Sequence, residues 1–183
     1  MTNPCFACKS MVNQVFLVGY MGAGKTSAAK ALSEDSGLPM IDLDEALERQ
    51  EGRSIFELFE QEGEAAFRAK ESTLLNEVAG CKDFPIVACG GGIMVDSQNV
   101  KTMKRHGLVV WIDPPFETIL TRLRANLGGR PLLAAMGDPL NEEKLRTHYE
   151  LRRSVYDAES DERINEVTEE VLATLAARIN RGA

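Results

Sequence analysis

Gly19-Tyr20-Met21-Gly22-Ala23-Gly24-Lys25-Thr26 follows the apolar run Val15-Phe16-Leu17-Val18 and leads into a stretch rich in Ala and Lys. The spacing is G-x-x-x-x-G-K-[ST], in the strand–loop–helix context in which that pattern binds phosphate. The glycines let the backbone wrap a polyphosphate. Several N–H groups then point inward at a helix N-terminus, where the peptide dipoles favour an anion. Gly22, Ala23, Gly24, Lys25, Thr26 and Ser27 are therefore the candidate nucleotide contacts. Lys25 is placed to bring its charge to the β- and γ-phosphates of ATP, and Thr26 to offer its hydroxyl to Mg²⁺.

Working outward, short apolar runs recur at residues 40–43, 86–89 and 108–112, with a more polar and weaker candidate at 163–167. Continuous apolar runs of this length suit strands of a parallel sheet buried on both faces. Helix-compatible stretches lie between them. Ser54 and Glu57 form a capping box ahead of Phe56, Leu58 and Phe59. Residues 64–79 and 141–160 read as long amphipathic helices, the second with Leu145, Tyr149, Val155 and Tyr156 toward the core, and Thr168 reads as the cap of a last helix. Strand alternating with helix predicts an α/β fold around a parallel sheet. In such folds ligands bind at the carboxyl ends of the strands.

The chain has 183 residues, 44% hydrophobic and 27% charged, which suits one soluble domain with a sizeable core. Residues 1–11 read as a short N-terminal tail and 12–183 as one domain. No run approaches a membrane span, and the tail lacks the apolar centre of a signal peptide. A net charge of -7 argues against nucleic acid as a partner. It also means that any anionic substrate must meet a local convergence of arginines. Cys5 and Cys8 make a lone C-x-x-C without the further ligands zinc needs, Cys89 ends a buried run, and Cys81 is the fourth cysteine. Four free thiols suit a reducing cytoplasm. His106 and His148 show no partner pattern and receive no role.

Several further groups fall near strand ends. Asp42 and Asp44 close the second strand, and a spacing of two puts both carboxylates on one face of it. One could hold Mg²⁺ through water while the other meets a second substrate; by themselves they also read as solvated turn aspartates. Gly90-Gly91-Gly92 closes the third strand, where bare backbone lets a ligand approach the N–H groups, although a plain flexible turn has the same composition. Arg68 and Glu71 are helical neighbours at i and i+3, an arrangement that either orients a guanidinium for a ligand carboxylate or makes an ordinary surface ion pair. Arg130 lies in an irregular stretch flanked by Gly128, Gly129 and Gly137, and reads as the arginine of a lid over about 124–140 or as a solvated loop arginine. Arg152 and Arg153 follow on the next helix.

The joint order of these elements resembles shikimate kinase. The phosphate loop, D-x-D, F-R-x-x-E, G-G-G, R-P-L-L and R-x-x-x-Y occur in sequence, and the likeness runs from Val15 to Asn180. The segment from Asp42 through Gly52-Arg53-Ser54-Ile55 and Phe59 to Gly63-Glu64, Phe67, Arg68 and Glu71 is specific to that family among phosphate-loop proteins. The resemblance implies a phosphate-loop kinase of the nucleoside-monophosphate-kinase type, with five parallel strands in the order 2-3-1-4-5 and a substrate-binding helical region at about 43–79. It implies transfer of the ATP γ-phosphate to the 3-hydroxyl of shikimate, on the route to chorismate and the aromatic amino acids. By the same likeness Asp44 binds shikimate hydroxyls and takes a proton, and Asp42 holds Mg²⁺ through water with Thr26. Arg68 and Arg152 clamp the carboxylate, and Glu71 orients Arg68. The Gly90-Gly91-Gly92 run gives a backbone N–H, from Gly91 or Gly92. Phe59 and Phe67 form apolar walls, and Arg130 contacts phosphates. Arg122 and Arg124 both remain candidates for the adenine.

Two other readings stand beside this one. A gluconate or nucleoside-monophosphate kinase would share the phosphate loop but not F-R-x-x-E together with G-G-G. A non-catalytic binding module of the same fold would be expected to have lost Lys25, Asp44 or Arg68, and all three are present. No exposed apolar stripe calls for a second copy, so a monomer is expected.

Overall fold

The computed structural model describes residues 12–125 and 141–179. Five parallel strands form one sheet: β1 (Val15–Val18), β2 (Met40–Asp42), β3 (Ile86–Ala88), β4 (Leu108–Ile112) and β5 (Glu162–Ile164), ordered β2-β3-β1-β4-β5. The sequence runs at β1, β3 and β4 are buried along their whole length, the pattern of strands covered on both faces. Seven helices are described: α1 (Lys25–Ser36), α2 (Leu43–Glu51), α3 (Ile55–Val78), α4 (Ser97–His106), α5 (Phe116–Ala125), α6 (Glu142–Glu159) and α7 (Glu169–Arg178). Alternation along each strand divides the core in two. Val15, Leu17 and Val110 pack with Leu32 of α1 and Leu175 of α7 on one face, while Phe16, Val18 and Trp111 pack with Leu75, Met103 and Leu145 on the other.

Four expectations need correction. β2 stops at Asp42, because its Oδ1 accepts from the N–H groups of Asp44 and Glu45 and starts α2 as an N-cap. Asp44 therefore stands in the first turn of a helix, and the strand spacing expected to align it with Asp42 does not apply. β3 stops one residue earlier than expected, although Cys89 N–H still donates to Leu17 O at 3.0 Å. β5 covers 162–164, not 163–167; its register is set by pairing Ile164 with Ile112, and the Asp161 carboxylate accepts from Val109 N–H just ahead of it. The capping box at Ser54 and Glu57 starts α3 at Ile55, the segment read from Glu64 onward follows the break at Gly63, and it ends at Val78 and not Ala79. Gly63 interrupts α3 with φ 82° and ψ 168°, a conformation that favours glycine, so two helical segments meet there at a kink.

Asn141 and Ser160 bracket α6 as its caps, and Thr168 caps α7 as read from sequence. Residues 126–140, which include Arg130 and most of the expected lid, lie outside the described residues, as do residues 1–11 with Cys5 and Cys8. No helix among the described residues is long and apolar enough to cross a membrane.

The loop from α3 to β3 is tied down by a side chain that carried no sequence signal. Gln14, 1% exposed, donates through Nε2 to the carbonyls of Val78, Cys81 and Phe84, and its Oε1 accepts from Gly80 N–H at 2.6 Å. Removing it leaves four backbone groups short of a partner. Gln14→Leu is expected to destabilise the fold by roughly 2–4 kcal/mol, read as a lowered urea midpoint at unchanged slope.

Candidate active site

The carboxyl ends of β1, β2 and β3 deliver the phosphate loop, the start of α2 and the glycine run to one edge of the sheet. Gly22 and Gly24 hold φ of 79° and 100°, which turns the loop back on itself and opens α1 with its N–H groups exposed to a ligand. Lys25 Nζ donates to the carbonyls of Gly19 and Tyr20 at 2.9 and 3.0 Å, so the lysine is folded along the loop it will serve.

Two cavities meet at this loop. The first, about 290 Å³, is lined by Met21 and Thr26 of the loop, Asp42, Asp44, Phe59, Phe67, Arg68, Glu71, Gly91, Gly92, His148 and Arg152. It is small against the roughly 300–1,000 Å³ usual for ligand pockets, which suits a single-ring acceptor better than a nucleotide. The second, about 860 Å³, runs along Ala23, Gly24 and Ser27 past Pro114, Pro115, Arg122 and Asn165. Met21 and Thr26 face one side of the loop; Ala23, Gly24 and Ser27 face the other.

The first cavity sets two arginines among several carboxylates. Glu71, 3% exposed, accepts from Arg68 Nη1 at 2.7 Å through Oε2, while its Oε1 is buried without a partner. Glu64 adds a longer contact to Arg68 at 3.4 Å. Arg152 lines the cavity and makes no close ion pair among the described residues, though its charge acts on Glu71. Arg153, its neighbour, turns outward to Asp113 at 3.8 Å and lies over Trp111. The adjacent arginines are thus distinguished by their partners, and the inward one is Arg152. Phe59 and Phe67 lie with ring centroids 4.6 Å apart, one on each side of the Gly63 kink.

The glycine run closes this wall from behind. A Cβ on Gly90 would strike Glu71 Oε1 and lie 2.8 Å from Asp44 Oδ1, and one on Gly92 would strike the Arg68 guanidinium. Gly90 is buried behind the two carboxylates, and the glycines that line the cavity are Gly91 and Gly92. Tyr156 O–H donates to Gly91 O at 2.5 Å and fixes the run against α6.

Asp44 is held in an environment that disfavours its charge. Burial pushes its carboxyl up to about 6; Lys25 draws it down, Asp42 and Glu71 push it further up, and Arg68 lowers it. Asp42 is used differently: its Oδ2 accepts from Thr26 Oγ1 at 2.6 Å while Oδ1 caps α2. A hydroxyl and one carboxylate, with no cluster of three metal-ligating side chains among the described residues, fit Mg²⁺. That ion is usually completed by substrate phosphates and water.

Sequence reasoning missed His148. Its Nδ1 is 2.7 Å from the Tyr20 hydroxyl, and the ring lines the first cavity. The available signal was its spacing of four before Arg152 on the same helix. Of Arg122 and Arg124, Arg122 reaches the phosphate loop, donating to the carbonyls of Gly22 and Ala23 at 3.2 and 2.9 Å, whereas Arg124 pairs with Glu142 on the surface.

A triphosphate cradle flanked by a small cavity with two arginines and a carboxylate of raised affinity for protons defines a phosphate-loop kinase for a small anionic acceptor. The shikimate kinase family model matches residues 21–180, and the chain belongs to that family. It is 39% identical to the shikimate kinase of Gloeobacter violaceus over 171 residues, covering 90% of this chain and 93% of that protein. It is 35% identical to the shikimate kinase of Persephonella marina over 154 residues, covering 84% and 89%. Among solved structures it is similar to shikimate kinase from Acinetobacter baumannii in complex with shikimate. The TM-score is 0.78 at 34% identity, with 91% of this chain and 89% of that one covered.

Because the Asp44 carboxyl is raised to about 6 in the fold, the folded state favours its protonated form. The stability linked to that proton is complete below the unfolded value near 3.8 and is lost as pH rises through about 6. At neutral pH the ionised group is a cost, so Asp44→Asn is expected to stabilise the fold by on the order of 2 kcal/mol. Thermal melts at pH 7.5 and 4.5 check this: the gain should be full at the first and much reduced at the second, vanishing only below the unfolded value near 3.8.

Proposed function

We propose that this chain transfers the γ-phosphate of ATP to the 3-hydroxyl of shikimate, giving shikimate 3-phosphate and ADP. The observation that carries the reading is that Asp44, Arg68 and Arg152 line one small cavity that reaches the phosphate loop at Thr26. Arg68, oriented by Glu71, and Arg152 bind the acceptor carboxylate as planar forks. Phe59 and Phe67 flank its ring, and Gly91 and Gly92 offer backbone to its edge. Asp44 accepts a hydrogen bond from the attacking hydroxyl and takes its proton as the oxygen–phosphorus bond forms and the bond to the ADP oxygen breaks. Because such transition states are loose, Asp44 acts chiefly by holding the hydroxyl in line.

On the other side of the loop, the N–H groups of Gly22, Ala23, Gly24, Lys25, Thr26 and Ser27 hold the phosphates, and Lys25 moves from the loop carbonyls to the charge that develops there. Thr26 and Asp42 hold Mg²⁺, which supplies neutralisation of phosphate charge. Arg122 borders the groove assigned to the nucleoside, and Arg130 is assigned to the lid over the phosphates. The chain is read as a monomer of a single domain. The acidic charge and the reduced thiols of Cys81 and Cys89 support a cytoplasmic enzyme that acts on small molecules and not on nucleic acid.

The test is ADP release from Mg-ATP with and without shikimate, with gluconate and AMP as controls. Release with shikimate alone is expected. Release with a control, or none with shikimate while ATP still binds, would turn the reading toward another acceptor or a non-catalytic module. Arg68→Ala is expected to raise the shikimate KM by about a hundredfold and the ATP KM by no more than about twofold. Asp44 works as the ionised form, so kcat/KM for shikimate should fall as pH drops through about 6, the value of its carboxyl in the free protein. A flat profile between pH 5 and 7 would remove Asp44 from the proton-accepting role.

A further inference from the structure

His148 stands on α6 one helical turn before Arg152, and both line the acceptor cavity. Tyr20 is 2% exposed, with its ring edge-on to Tyr149 at 5.3 Å and 87°. Its hydroxyl has the His148 Nδ1, at 2.7 Å, as its one hydrogen-bond partner among the described residues. A buried hydroxyl proton left unpaired costs roughly 1–3 kcal/mol. Tyr20 therefore donates and Nδ1 accepts, which puts the imidazole proton on Nε2.

That tautomer resists a second proton, because protonating Nδ1 would turn Tyr20 from donor to acceptor and orphan its O–H. Burial and then the charge of Arg152 also push the imidazole pKa down, Glu64 pulls it up by less, and Arg68 adds the smallest push down. The ring is thus a neutral donor at neutral pH. Nε2 has no hydrogen-bond partner among the described residues. The charged groups that reach the ring include both guanidinium groups assigned to the acceptor carboxylate.

We propose that His148 is a third donor to the acceptor's carboxylate, with its Nε2–H fixed by the Tyr20 hydroxyl and directed beside Arg68 and Arg152. It adds a directed hydrogen bond without a third positive charge in a confined site. The proposal rests on the reading of Arg68 and Arg152 as the carboxylate clamp.

The experiment measures the KM for shikimate and for ATP separately in the parent, His148→Leu, His148→Asn, His148→Gln and Arg152→Ala. Loss of one hydrogen bond to a charged group is expected to raise the shikimate KM about tenfold in His148→Leu, with the ATP KM within about twofold. The glutamine amide nitrogen reaches the position of Nε2, whereas that of asparagine reaches only toward Nδ1. Glutamine should therefore restore the shikimate KM to within about threefold of the parent and asparagine should not. Unchanged shikimate KM in the leucine and asparagine variants, with a raised value in Arg152→Ala, would overturn the proposal and leave the clamp standing. Equal rises for both substrates would also overturn it, by showing that the imidazole only braces the phosphate loop through Tyr20. An unchanged shikimate KM in Arg152→Ala itself would sink the clamp, and the proposal with it.

Discussion

The ion pair between Glu71 and Arg68, closed at 2.7 Å with Glu71 almost wholly buried, fixes the geometry on which the acceptor cavity depends. Removing Arg68 leaves the buried Glu71 carboxylate uncompensated, at a cost of about 3–5 kcal/mol. Glu71 also acts on its neighbours. Its second oxygen occupies the space where any side chain at position 90 would start, so the backbone after β3 must be bare there. Its charge adds to the burial that raises the proton affinity of Asp44. One carboxylate thereby aims a cation, imposes a glycine and tunes a second carboxylate.

Among the described residues, many of the cations are paired with carboxylates away from the site. Arg53 and Lys70 are absorbed by Glu51 and Glu62, Arg124 by Glu142, and Arg163 by Asp113. Arg152 is left facing the cavity, and Arg68 is shared with it. With a net charge of -7, the field away from the site repels anions, and within it the short-range geometry of guanidinium and N–H donors takes over.

Much of the fold was legible because its signals are local. Continuous apolar runs gave β1, β3 and β4, and the capping box gave the start of α3. The strand order came from the family resemblance. The failures share a cause. The Asp42 carboxylate captures the N–H groups of the next turn and converts an expected strand end into a helix start. β5 is an edge strand whose limits are set by pairing with β4, not by its own polar sequence. Gln14 and His148 derive their importance from partners more than sixty residues away, across a tertiary contact that spacing cannot reveal. The candidate site was legible where several residues of one motif act together, as in F-R-x-x-E, and illegible where a lone polar residue acts with a distant one.

The two cavities meet at the phosphate loop, with Met21 and Thr26 lining one and Ala23, Gly24 and Ser27 lining the other. Donor and acceptor then reach phosphorus from opposite sides. Transfer between them is one displacement, in which the entering and leaving oxygens lie on a common axis. A single in-line displacement turns the three remaining oxygens inside out. The handedness of a chiral thiophosphate transferred at this loop would therefore be inverted in the product.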